Sequence, residues 1–302
     1  MKITDWESIP KFLDALREEY RVIAPTDVGG KVNFREIESG RDLIPEFTNT
    51  KNSPKNFFIQ NSYPVFSNGN YLKDIENLKF EVDGKSLIFG LRACDINALS
   101  LLDQFYFDGL LNHDYEKNRR RTVIVGMNCS WPGDNCFCST FNAGPSIRKG
   151  ADIVLTDLGN LYFVEVFSNG GKQIIDRFPN LFLDSKAEHR KKKEGLMKEA
   201  KKRIKKLKVK EAKNKLKLTT DRYWDKLDKN CIGCYSCDIV CPTVYSFEKA
   251  AELKRPTKKV RYKLNHVMEN YGEFGCVGCG RCLDACPRGI GMMNILDDIR
   301  ML

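Results

Sequence analysis

The sequence predicts an α+β protein in three parts. Residues 1–184 read as a mixed α/β domain, residues 185–220 as a basic helical linker, and residues 221–302 as a small cysteine-rich domain. Three observations predict this. Short apolar runs alternate with helical patterns through the first part. One stretch gathers the excess positive charge. Eight of the twelve cysteines lie toward the C-terminus, in two copies of one pattern. A chain of 302 residues is long enough for more than one hydrophobic core.

In the first part, Trp6 to Tyr20 reads as an amphipathic helix. Asn56-Phe57-Phe58-Ile59 and Ser86-Leu87-Ile88-Phe89-Gly90 are apolar runs of strand length and read as short buried strands. Asp95 to Phe107 reads as a helix with Ile96, Leu99, Leu102 and Phe105 on its apolar face. Thr122-Val123-Ile124-Val125-Gly126 is another buried strand, and Ala151 to Val166 a hairpin turning at Leu158-Gly159-Asn160. No G-x-G-x-x-G follows a strand and no Walker A loop is present, so a Rossmann or P-loop nucleotide site is not expected.

The linker carries the charge. Lys186 to Lys217 holds 16 Lys/Arg against 4 Glu, a net of +12, which exceeds the whole chain's +10. The rest of the chain is therefore near neutral. Leu196, Ala200, Ile204 and Leu207 recur at helical spacing, so one long basic helix is expected here. Such a run is usually a solvated face packed by its apolar stripe; docking to an acidic partner is a second reading. Nucleic-acid binding is not expected, because aromatics are not interleaved and no base-reading module accompanies the run. No apolar stretch approaches the roughly 20 residues that span a bilayer. The start, Met1-Lys2-Ile3-Thr4-Asp5-Trp6, reads as neither a secretory nor a twin-arginine leader, and a reducing cytoplasmic setting is expected.

In the third part, Trp224 and Leu227 mark a short helix before the first cysteine run. Helices are expected at Phe247 to Leu253, at Val260 to Tyr271, and from Ile290 to the end through Ile295, Ile299 and Leu302. The cysteine runs are Cys231-Ile-Gly-Cys234-Tyr-Ser-Cys237-Asp-Ile-Val-Cys241-Pro242 and Cys276-Val-Gly-Cys279-Gly-Arg-Cys282-Leu-Asp-Ala-Cys286-Pro287. Both are C-x2-C-x2-C-x3-C-P, the spacing of a two-cluster bacterial ferredoxin, in which the fourth cysteine of each run ligates the other cluster. This predicts a C-terminal dicluster ferredoxin-like domain with two [4Fe–4S] clusters. Cluster A takes Cys231, Cys234, Cys237 and Cys286. Cluster B takes Cys276, Cys279, Cys282 and Cys241. Gly233, Gly278 and Gly280 lack a Cβ and let backbone N–H groups approach the sulfurs. Pro242 and Pro287 turn the chain away after the last ligand. Zinc needs neither the third cysteine nor the Cys-Pro ending, and a disulfide framework does not suit a chain of this size in a reducing setting.

Cys94, Cys129, Cys136 and Cys138 remain. The first two closely follow predicted strands, and the last two follow a loop containing Pro132-Gly133. Four thiolates there would suit a third [4Fe–4S] cluster, cluster C; a structural zinc or free thiols are the alternatives.

Beyond the cysteines, the chain resembles the beta, or iron–sulfur, subunit of cytoplasmic sulfhydrogenases and the A subunit of anaerobic sulfite reductase. The resemblance rests on Asn52-Ser53-Pro54-Lys55-Asn56-Phe57-Phe58, Phe89-Gly90-Leu91-Arg92-Ala93-Cys94-Asp95, Ile124-Val125-Gly126-Met127-Asn128-Cys129, Cys136-Phe137-Cys138 and the ferredoxin-like end. It covers nearly the whole chain except 186–217. It implies a subunit of a hetero-oligomeric oxidoreductase of anaerobic metabolism, without an active site of its own. That subunit relays electrons between a flavin subunit reacting with NAD(P)H and a catalytic subunit carrying sirohaem or nickel–iron. The resemblance also favours the third cluster. A competing reading is an iron–sulfur enzyme reducing a substrate directly at an open N-terminal cluster, with Asp95 as acid. The three histidines, His113, His189 and His266, sit in no ligand or triad pattern.

Overall fold

The computed structural model describes residues 1–59, 65–67, 70–72, 84–107, 112–244 and 255–302. Its strands are β1 (Lys2–Thr4), β2 (Tyr20–Asp27), β3 (Val32–Glu36), β4 (Val65–Ser67), β5 (Asn70–Leu72), β6 (Lys85–Leu91), β7 (Thr122–Met127), β8 (Ile153–Asp157), β9 (Tyr162–Val166) and β10 (Leu183–Asp184). Eight of these form one mixed sheet in the order β10-β1-β9-β8-β7-β6-β2-β3; β4 and β5 pair separately. The centre, β2-β6-β7-β8, is parallel, and the strands on either side run antiparallel.

Alternation along the central strands feeds two cores. Leu87, Phe89, Val125, Ile153 and Leu155 point to one face, where helix α1 (Ser8–Leu16) brings Ile9, Phe12, Leu13 and Leu16. Phe12 meets Phe178 and Phe182 edge to face, with centroids 5.3 and 5.0 Å apart. Ile88, Ile124 and Val154 point to the other face, under Ile96, Leu99, Leu102 and Phe105 of helix α2 (Ala93–Phe107) and Tyr115 of α3 (His113–Arg120). Because both faces are covered, the parallel strands carry near-continuous apolar runs at their centres. The hairpin of β8 and β9 turns at Gly159, whose φ of +99° suits glycine.

Several expectations change. The first helix ends at Leu16 rather than Tyr20, since Tyr20-Arg21-Val22-Ile23 is drawn into parallel pairing with β6. The apolar run at 56–59 is buried but is not a strand. Ser53 accepts a hydrogen bond from Lys55 N at 3.2 Å and Pro54 pre-sets the first turn of a 3-10 helix at Pro54–Phe57. The basic segment is helical in two pieces, α5 (Ala187–Arg203) and α6 (Val209–Lys215). The chain extends at Ile204 because Ile204 and Leu207 turn inward, and Leu207 N donates to Thr140 Oγ1 at 2.8 Å. The expected helix at Phe247 to Leu253 lies outside the described residues. That at Val260 to Tyr271 begins earlier, at Pro256, and passes through a π-helical stretch at Tyr262–His266.

A third core joins Leu207, Val209, Ala212 and Leu216 to Trp224, Val260, Leu264 and to Met292, Ile295, Leu296 and Ile299 of the last helix, Met292–Met301. The second half of the basic segment thus packs into the C-terminal core. No helix among the described residues is long and apolar enough to cross a membrane.

Leu13 is fully buried between α1 and the sheet. Leu13→Ala is expected to destabilise the protein by about 2 to 5 kcal/mol, read as a lowered urea midpoint.

Candidate iron–sulfur site

The parallel strands place the first thiols. Cys94 opens α2 just beyond the carboxyl end of β6, and Cys129 follows the carboxyl end of the neighbouring β7. Loops at this edge of a parallel sheet are the usual carriers of ligand groups. Cys136 and Cys138 come from the loop below, where a Cβ on Gly144 would stand 2.7 Å from Cys138 Sγ. Cys94 and Cys138 are buried and pack together with Ala98, Leu101 and Ala143. Cys138 lies near Cys94, Cys136 and Cys129. Burial, Asp95 and the thiols of Cys279 and Cys138 hold Cys94 well above the ordinary thiol range. Burial, then Cys129, pushes Cys136 up to about 11. Burial and the thiols of Cys136, Cys129 and Cys279 push Cys138 higher still. Arg92 sits beside Cys129 and Cys94. It stacks on Phe47 at 4.0 Å and donates to Asn128 O at 3.1 Å, while its buried Nε finds no protein acceptor. A thiolate-bound cluster would supply one.

All eight cysteines of the two C-x2-C-x2-C-x3-C-P runs line a single, mostly apolar cavity, with Val260, Met292 and Ile295 among its walls and Lys259 and Lys263 at its side. Within it Cys241, from the first run, keeps company with the second. Burial pushes Cys276 up to about 12 and Cys282 well above its ordinary value, and Cys241 adds to both shifts. Cys241 itself departs from this pattern. Burial raises its pKa, but Lys263 and Lys55 beside it, with the Thr243 hydroxyl, outweigh burial and hold it below the ordinary thiol value. Lys263 Nζ lies 3.4 Å from Cys241 Sγ, and Lys259 Nζ lies 3.3 Å from Cys237 Sγ. No three metal-ligating side chains among the described residues converge as they would on one small ion. Thiols ranged around an apolar cavity suit a larger body.

The two runs are alike in sequence but not in surroundings. The second lies against the loop that carries Cys136 and Cys138. Phe137 N donates to Gly278 O at 2.8 Å, and Asn49 Nδ2 donates to Cys279 O at 2.9 Å. A Cβ on Gly278 would stand 2.6 Å from Phe137 O, and one on Gly280 2.5 Å from Asn135 O. These glycines, at φ of +65° and +81°, therefore serve backbone-on-backbone packing. Gly233 shares the positive φ with nothing near it, and Tyr235 holds the place of Gly280 at φ of +57°. The first run is correspondingly open: Cys234 is exposed and Ile232 is 64% exposed.

A buried ion pair locks the second run in place. Arg281, 2% exposed, donates to both carboxylate oxygens of Asp95 at 2.6 and 3.1 Å, and to Thr50 O and Oγ1 at 2.9 and 3.0 Å. Asp95 is thus held in a bidentate pair with Arg281, one contact to each oxygen. None of the histidines lines the cysteine cavity. His189 Nδ1 accepts from Lys186 N at 3.0 Å, and His266 stacks on Tyr262.

Sequence reasoning missed Lys55, Lys259, Lys263, Arg281 and Thr50. Arg281 stands inside the motif, and Lys55 inside the Asn52–Phe58 run. Lys263 lies on the helix expected at Val260 to Tyr271, but Lys259 lies just before its expected start; only the earlier start at Pro256 puts the two on one face.

A family model described as a 4Fe-4S dicluster domain matches residues 224–288. The chain is 30% identical to sulfhydrogenase 2 subunit beta of Pyrococcus furiosus over 328 aligned positions, covering 97% of this chain and 96% of that protein. A shorter stretch, 26% of this chain and 22% of the relative, is 28% identical to the F420-dependent formate dehydrogenase subunit beta of Methanocaldococcus jannaschii.

Two outcomes test this geometry. Arg281→Met is expected to cost about 3 to 5 kcal/mol in an oxygen-free urea titration, because it leaves the Asp95 carboxylate buried and unpaired; R281M/D95L is expected to recover part of it. Gly278→Ala is expected to lower the unfolding midpoint well beyond Gly233→Ala, which meets no neighbour and carries only the backbone penalty of about 1 to 2 kcal/mol.

Proposed function

Since the chain belongs to the family of sulfhydrogenase beta subunits, we propose that it relays electrons through three [4Fe–4S] clusters within a hetero-oligomeric complex. One partner is a flavin subunit reacting with NAD(P)H, and the other a catalytic subunit. The name of the full-length relative favours a hydrogenase over a sirohaem sulfite reductase for the latter. The bacterial-ferredoxin spacing assigns Cys231, Cys234, Cys237 and Cys286 to one cluster and Cys276, Cys279, Cys282 and Cys241 to the next. Cys94, Cys129, Cys136 and Cys138 take the third. Each cluster would supply one-electron chemistry; the protein holds the thiolates.

The observation that carries this reading is the contact at Cys279. The N-terminal thiols and the second run meet there: Cys279 packs with Cys94 and Cys138, and Cys136 Sγ lies 3.9 Å from Cys279 O. This packing, with the cavity that both ferredoxin-type runs share, supports an order of sites from the sheet edge through the second run to the exposed first run. Relay demands such continuity. The open first run, with exposed Cys234 and Ile232, suits the approach of a partner's own redox group.

The test is iron and acid-labile sulfide per chain, on protein purified without oxygen, with zinc assayed alongside. About twelve of each and little zinc are expected. Cys94→Ser is expected to lower the count toward about eight while leaving the two ferredoxin-type signals in place. A wild-type count near eight would make the N-terminal four-cysteine site something other than a cluster.

A further inference from the structure

Three lysines gather where the two ferredoxin-type runs share ligands. Lys55 is 1% exposed and donates to Asp238 O at 3.0 Å and Val244 O at 3.2 Å. Lys259 Nζ donates to Cys237 Sγ at 3.3 Å and to Asp238 Oδ2 at 2.6 Å. Lys263 Nζ donates to Cys241 Sγ at 3.4 Å, to Thr243 Oγ1 at 2.6 Å and to Gly275 O at 2.9 Å. An ammonium has three protons. Those of Lys263 are used by one hydroxyl, one carbonyl and one sulfur, so the sulfur is part of its binding site and not a bystander. Asp238, 4% exposed, is the carboxylate that these contacts bring to the group. Three lysines therefore gather around one buried carboxylate and the two ligand sulfurs.

Lys259 and Lys263 are one helical turn apart and present one face. The thiols they touch are four residues apart, but on the assignment above they belong to different clusters: Cys237 to the first, Cys241 to the second. A single helix face thus reaches one ligand of each.

We propose that Lys259 and Lys263, backed by Lys55, are potential-setting residues that raise the reduction potentials of the two ferredoxin-type clusters together. Reduction adds one electron, and so one negative charge, to a cluster; the thiolates gain electron density and no proton is required. Hydrogen bonds to ligand sulfur and nearby positive charge both stabilise the more negative state. The screening that surface charges undergo is weak for side chains held inside. The lysines act through the cysteines they hold.

The inference rests on the cluster assignment above. The experiment is a dithionite titration of the full chain followed by electron paramagnetic resonance, with iron and sulfide measured on every variant. Lys259→Met is expected to lower the potential of one cluster, and Lys263→Met that of the other. Each shift should change the oxidised-to-reduced ratio about tenfold at fixed ambient potential, which is about 59 mV for a one-electron couple. Lys263→Gln, which keeps a donor without the charge, should fall between Met and wild type. Lys258→Met, an exposed neighbour on the same helix, should change nothing. Full iron with unmoved potentials would overturn the inference and leave the relay reading standing. Iron lost from all three of Lys259→Met, Lys263→Met and Lys263→Gln would overturn it too, by making these lysines supports of the loop. Wild-type protein without these clusters would overturn both readings.

Discussion

The Arg281–Asp95 pair is the constraint on which the rest of the arrangement hangs. Asp95 is set by the end of a central parallel strand and the start of α2; Arg281 is set by the second cysteine run. Burying two charges is costly unless both are fully engaged. Here the guanidinium is met by both oxygens of Asp95 and by Thr50, so the pair is satisfied in only one mutual position of sheet and cysteine loop. Once that position is taken, the Gly278 and Gly280 contacts, the Phe137–Gly278 hydrogen bond and the packing of Cys94, Cys138 and Cys279 follow as one set.

Much of the molecule was legible in the sequence, for identifiable reasons. β6 and β7 announced themselves because parallel strands covered on both faces carry long apolar runs, and the β8–β9 hairpin because two apolar runs flank a glycine turn. The last helix and the short helix with Trp224 followed from ordinary periodicity. Other strands of the sheet did not show. β1 and β10 are three and two residues long, too short for any pattern, and Tyr20–Asp27 was masked by the helical stripe running into it. The strand expected at 56–59 failed because capping by Ser53 and Pro54 outweighed its apolar composition. The basic segment deceived in another way. Its stripe was real, but Ile204 and Leu207 answer to different cores, so one continuous helix cannot bury both.

The candidate site divides likewise. Cysteine spacing carries its own three-dimensional meaning, because the metal dictates the loop. The lysines around it carry none, since a lysine is ordinarily a surface residue and nothing nearby in the chain marks Lys55 as buried beneath a loop almost two hundred residues away. What a local motif cannot hold is which side chains from elsewhere surround it. The two ferredoxin-type runs, alike in sequence, end in unlike settings for this reason: one clasped, one open.

The clasp between the second run and the Asn135–Cys138 loop is made by main chain against main chain, with no room for a Cβ in either glycine contact. Its spacing is therefore fixed by covalent geometry and a hydrogen bond, not by the basic segment that joins the two halves in sequence. On the relay proposed above, transfer across this junction would have no hinge to wait for. It would run at the same speed in thick and thin solvent, leaving diffusion and docking at the open end as the steps that viscosity can slow.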